Sequence, residues 1–134
     1  MKKKGGMKMK EIIKTAKAPE AIGAYSQAVK VGEFLFASGQ IPIDPQTGAL
    51  VEGGIEAQTT QVMENIKQVL QAGGSDLDNV IKTTIFMLKK EDFAAVNQIY
   101  GKYFTANLPA RSCVAVAKLP KEALIEIEVI AYCR

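Results

Sequence analysis

The sequence predicts an α+β domain, a mixed β-sheet with two helices packed on one of its faces, in the order β-β-β-α-β-α-β-β. Three observations carry the prediction. Two stretches, residues 56–73 and 91–106, repeat apolar side chains at helical spacing. Six shorter runs are rich in β-branched and small apolar residues and are bounded by Gly, Pro or Asp. At 134 residues, 48% hydrophobic and 23% charged, the chain suits one soluble globular domain.

Residues 1–10 (MKKKGGMKMK) are low-complexity and basic, and are expected to form a disordered tail or extended start ahead of a single domain over residues 11–134. No apolar segment follows these lysines before Pro19, so a signal peptide is not expected. Residues 11–15 read as a short strand, which Ala18 and Pro19 end. Residues 26–31 and 34–38 read as a second and third strand around a tight turn at Gly32 and Glu33. Gly39 to Pro42 closes the third, and the run DPQTG from Asp44 is a turn by residue chemistry.

In the first helix Val62, Ile66, Val69 and Leu70 share one apolar face, and Gly73 with Gly74 supplies the stop. Residues 80–88 (VIKTTIFML) are apolar on both faces, as in a central strand. In the second helix Phe93, Val96, Tyr100 and Phe104 form a stripe expected to be buried, and Asn97 lies on it. That amide is either a hydrogen-bonded core group or one aimed into a pocket.

Two further strand runs, residues 110–118 and 124–132, flank the turn LPKEA and so predict a β-hairpin. In the second run Ile125, Ile127, Val129 and Ala131 share a core face, while Glu126 and Glu128 share the other. In the first run Arg111, Cys113, Ala115 and Ala117 point opposite to Val114 and Val116. The hairpin would set a cation, a thiol and two carboxylates on the non-core face of adjacent strands. A sheet with one uncovered, Ala-rich face asks for a partner, and closed self-association supplies one.

Composition narrows the chemistry. The chain has no histidine, which excludes His-based triads, His zinc sites and His general bases. Cys113 and Cys133 form no CxxC, so neither a disulfide framework nor a metal site is indicated, and a reducing, cytoplasmic setting fits. No run approaches transmembrane length, and no phosphate-binding Gly loop of the common types is present. Five of the 17 basic residues fall in the first ten positions, which hold no acid; the rest of the chain carries 12 basic against 14 acidic residues. The positive charge therefore belongs to the tail, which weighs against nucleic-acid binding by the body.

The best chemical constellation is Arg111 with a carboxylate. A guanidinium fork grips a substrate carboxylate in bidentate fashion, and a glutamate in a partly dry pocket acts as general base toward water. Together they suit hydrolysis of a small carboxylate-bearing molecule. The bland alternatives are a structural salt bridge for Arg111, a solvated or interface-paired face for Glu126 and Glu128, a small buried hydrophobe for Cys113, and ordinary loop and strand-end residues for Tyr25 and Ser38. In the predicted hairpin Arg111 lies about 17 Å along the strands from Glu126, at about 3.4 Å per residue. A site using both would then combine two subunits.

The segments AIGAYSQAV, FASGQIP, KTTIFM, FAAVN, PARSCVAVAKLPK and IEIEVIA, in this order from residue 11 to the C-terminus, resemble the reactive intermediate deaminase family (Rid, or YjgF-like), and its RidA branch most closely. The resemblance implies a chorismate mutase-like α+β fold and a homotrimer with active sites between subunits. It implies hydrolysis of enamines and imines, such as 2-aminoacrylate with its tautomer 2-iminopropanoate, and 2-iminobutanoate, to 2-oxo acids and ammonia, without metal or cofactor. It assigns Arg111 to the substrate carboxylate and Glu126 to activation of water. Cys113, Tyr25, Ser38, Gly39 and Asn97 become pocket residues. The longer basic tail, Ala24 where many members have Pro, and the AYCR terminus depart from the pattern without touching the proposed chemistry. Competing readings are an endoribonuclease or translation inhibitor, and a non-catalytic binder of small metabolites or partner proteins; members without the key arginine exist, and Arg111 here favours the enzyme.

Overall fold

The computed structural model describes residues 9–133, so most of the expected basic tail lies outside the described residues. Six strands and two helices follow the predicted order: β1 (Glu11–Ile13), β2 (Ala28–Val31), β3 (Phe34–Gln40), α1 (Gly54–Ala72), β4 (Val80–Met87), α2 (Phe93–Tyr103), β5 (Ala110–Ala115) and β6 (Ile125–Tyr132). They form one mixed sheet in the order β1-β2-β3-β6-β4-β5. Only β4 and β5 run parallel, joined by α2 as the crossover such a pair requires.

The predicted hairpin of the last two strands does not form, because β4 lies between them. β6 pairs antiparallel with β3 on one side and β4 on the other. Both ends of the β5–β6 connection are tied to β4: the Val116 N–H donates to the Met87 carbonyl (2.8 Å), and the Leu88 N–H donates to the Leu124 carbonyl (3.1 Å). The turn chemistry around Pro120 builds a short 3-10 turn, Pro120–Glu122, inside a wider connection. β4, apolar on both faces, takes the inner place its sequence predicts.

This order corrects the assignment of faces. Ile125, Ile127, Val129 and Ala131 are buried, as expected. Arg111 and Cys113, however, stand in register with the buried Thr83 and Ile85, so they point to the helix side of the sheet. Val114 stands level with Phe86 and Glu126 on the opposite face, where it is 47% exposed.

The core lies between the helices and the sheet. Val62, Ile66, Val69 and Leu70 of α1 meet Leu35, Ile85, Ile125 and Ile127, all fully buried. In α2, Val96 and Tyr100 are buried, as is Phe104 just past its end; Phe93 is exposed, against expectation, and Asn97 is exposed, which removes the core alternative for its amide. The first turns of α2 stand over the edge strand β5, where Arg111 meets Asn97 and Phe93. The two helices are tied by the Tyr103 hydroxyl, which donates to Glu64 Oε2 (2.8 Å). Burial, then that bond and the Glu64 charge, push the phenol up to about 12.

The other face of the sheet is uncovered and is aromatic and β-branched rather than Ala-rich. Phe34, Phe36, Val114 and Tyr132 are each more than one-third exposed there. Phe36 stands level with Ile130, and Phe34 with Tyr132.

Candidate active site

Two clusters of the sequence-predicted site residues form, and they do not meet within one chain. The first surrounds Glu126. β3 pairs Ala37 with Val129 and Gln40 with Ile127, which leaves one residue too many on β3. The resulting bulge holds Ser38 and Gly39 beside the glutamate face of β6. The Ser38 hydroxyl donates to the Ser26 carbonyl (2.6 Å), and the Ser38 N–H donates to the Gln27 carbonyl (2.9 Å), which pin the bulge. Gly39 leaves room for a side chain: a Cβ there would lie 2.7 Å from Glu126 Cδ and 2.9 Å from its Cγ.

This bulge opens into a cavity of about 590 Å³, lined by Tyr25, Ser38, Gly39, Lys121, Glu126 and Glu128, with Pro19, Ile22, Ile41 and Ile43 as apolar wall. Buried amides hold that wall. Asn65 Nδ2 donates to the Ile41 (3.2 Å) and Ile43 (3.0 Å) carbonyls. Gln27 accepts from the Thr15 N–H (2.7 Å) and donates to the Pro19 carbonyl (2.7 Å). Gln58 Oε1 accepts the Leu124 N–H (2.8 Å), fixing the start of β6. Burial pushes the Glu126 carboxyl above the ordinary carboxylate range, and the Glu128 charge pushes it the same way. A carboxylate of raised affinity for protons is a better base toward water than an ordinary one.

The second cluster surrounds Arg111. Its Nη1 donates to Asn97 Oδ1 (2.8 Å), and its guanidinium carbon lies 5.5 Å from the centroid of the Phe93 ring and 5.0 Å from that of Tyr100. Asn97 is therefore an exposed amide engaged by the arginine, not a core amide. Among the described residues no carboxylate lies within 4.0 Å of Arg111, so the structural salt bridge is absent there. The remaining guanidinium donors are free to take an anion. Cys113, half-buried, packs against the core; burial raises its thiol above the ordinary value, against the pull of Arg111.

Arg111 is level with Thr83 and Glu126 with Phe86, on opposite faces and with β4 between their strands. They are thus about 10 Å apart along the strands and about 10 Å across them. Three contributors escaped the sequence reading. Lys121 enters the cavity wall from a left-handed conformation (φ 57°) that its residue type does not announce. Phe93 and Tyr100 flank Arg111, although their helical spacing with Asn97 was the available signal. Among the described residues no helix is long and apolar enough to cross a membrane.

A family model described as Endoribonuclease L-PSP matches residues 15–133, nearly the whole described chain. The chain belongs to that family. Its members include a RutC family protein of Pyrococcus horikoshii, 56% identical over 92% of this chain and 98% of the relative. A rat protein named 2-iminobutanoate/2-iminopropanoate deaminase is 50% identical over 92% of this chain and 90% of its own length. The solved structure of RidA from an Antarctic Psychrobacter superposes with a TM-score of 0.88 at 45% identity, covering 91% of this chain and 98% of that one. The Rid-type fold and the Rid resemblance of the sequence motifs agree with these matches.

Proposed function

We propose that the protein hydrolyses small 2-imino acids and their enamine tautomers, such as 2-iminopropanoate and 2-iminobutanoate, to 2-oxo acids and ammonia. The observation that carries the proposal is Arg111: an oriented guanidinium with no carboxylate partner among the described residues. The deaminase name of a relative at 50% identity supports it. Arg111 and Glu126 face opposite ways in one chain, which supports a working site that joins the Arg111 cluster of one subunit to the Glu126 cavity of another; the Rid resemblance of the sequence makes the proposed assembly a homotrimer. The exposed aromatic face of the sheet is the surface such an assembly would cover.

The chemistry is then brief. Arg111 holds the substrate carboxylate, and Glu126 takes a proton from water as its oxygen adds to the imine carbon. The carbinolamine collapses when Glu126 returns that proton to nitrogen. The C–N bond breaks as the carbonyl forms, the hydroxyl proton passes through Glu126 to the departing ammonia, and the balance is iminium carboxylate plus water to 2-oxo acid plus ammonium. Tyr25, Ser38, Gly39, Asn97 and Cys113 line or shape the two halves, and the steps call on no metal or cofactor.

The test is to generate 2-iminobutanoate with a threonine dehydratase and trap it with semicarbazide. Added protein is expected to suppress the semicarbazone. An unchanged yield with folded protein overturns the proposal, and RNA cleavage, which the family description names, becomes the next assay.

The acid limb of the pH profile is a second expectation. Glu126 works deprotonated, and its carboxyl lies above the ordinary 4.5 through burial first and Glu128 second. Activity should therefore fall as pH drops through that raised value. Glu128→Gln removes the second cause, so the limb in kcat/KM should move to lower pH while staying above 4.5, since burial persists. A limb that stays in place would separate it from Glu126.

A further inference from the structure

We propose that Phe93 and Tyr100 are positioning residues for Arg111, forming an aromatic cradle that holds the guanidinium fork ready for a substrate carboxylate. It rests on the carboxylate-anchoring role proposed above for Arg111. The geometry comes from one helix. Phe93 and Tyr100 are seven residues apart on α2, two turns and about 10.5 Å of rise. The guanidinium carbon is 5.5 Å from one ring centroid and 5.0 Å from the other, so it sits between them. Asn97, on the turn between, takes one Nη1 hydrogen at 2.8 Å.

Three contacts on one helical face thus fix an exposed side chain that would otherwise sample many rotamers. None of them is a carboxylate, so the charge is oriented without being neutralised. The ring faces attract the cation but cannot accept its in-plane hydrogens as a carboxylate does. Tyr100 is itself held: its hydroxyl shares a 2.8 Å hydrogen bond with the buried Thr83 Oγ1, on the β4 residue in register with Arg111. The helix and the strand under the arginine are therefore coupled through the ring that supports it.

The test uses Phe93→Leu, since Phe93 is 39% exposed and its loss should leave the fold intact. Loss of one exposed cation–π contact should raise KM about two- to fivefold with kcat nearly unchanged. The Ki of the product 2-oxobutanoate should rise by the same factor. Phe93→Tyr should restore both. Tyr100→Phe, which keeps the ring, should bind better than Tyr100→Leu. An unchanged KM in folded Phe93→Leu overturns the cradle. A readout without turnover separates this from the deaminase assignment: the Arg111 side-chain NMR signals, shifted by the ring currents, should move toward free-arginine positions in Phe93→Leu. If wild type lacks imine hydrolysis but these signals move, the anchoring role fails and the cradle stands; if they do not move, the cradle fails whatever the activity.

Discussion

Arg111→Ala is expected to lower kcat/KM for 2-iminobutanoate by about a thousandfold, the order expected for losing a bidentate, charge-assisted pair of hydrogen bonds to a carboxylate. The fold should be almost untouched. Arg111 and its partner Asn97 are both exposed, and no ion pair of Arg111 is broken among the described residues. Surface changes of this kind usually stay within about 0.5 kcal/mol of wild type. Arg111→Lys keeps the charge but replaces the planar fork with a point donor, so it should recover only a small part of the activity. The semicarbazone assay with a thermal melt reads both quantities. A folded Arg111→Ala that retains half the wild-type rate would remove the arginine from the mechanism.

Gly39→Ala is expected to cut kcat by about a hundredfold, as removal of a general base does, with little loss of stability. Gly39 has no positive φ, so backbone strain is not the cost. The added methyl would overlap the Glu126 carboxyl group, which can swing aside because it ends a flexible side chain in an open cavity. The glutamate would survive in the wrong place. Glu126→Gln should be as slow, and adding Gly39→Ala to it should cost little more, since both changes remove one function. If the two effects multiply, Gly39 acts through something other than Glu126.

The alternation of Ile125 to Ala131 with Glu126 and Glu128 was legible because a strand buried on one face writes its faces into the sequence. The apolar face of α1 was legible for the same reason. The pairing of strands was not. Residues 110–118 and 124–132 are near in sequence with turn residues between, and nothing local reveals that β4 lies between them. That error put Arg111 on the wrong face. The separation of Arg111 and Glu126 within one chain comes instead from β4 standing between their strands and from their opposite faces. The stripe leaves Asn97 open between core and pocket and counts Phe93 as buried, because helical periodicity reports which side faces inward, but not where along its length the helix is covered.

The position of β6 also bears on how the chain acquires its structure. β6, which follows the other five strands in the chain, is an inner strand pairing on both sides, so β1-β2-β3 and β4-β5 are two separate pieces until it arrives. Its buried side chains complete the layer on which α1 rests. A nascent chain lacking β6 has no continuous sheet to fold onto. Folding must wait until β6 is available, and its decisive contacts are long-range ones, which favours a slow, all-or-none transition.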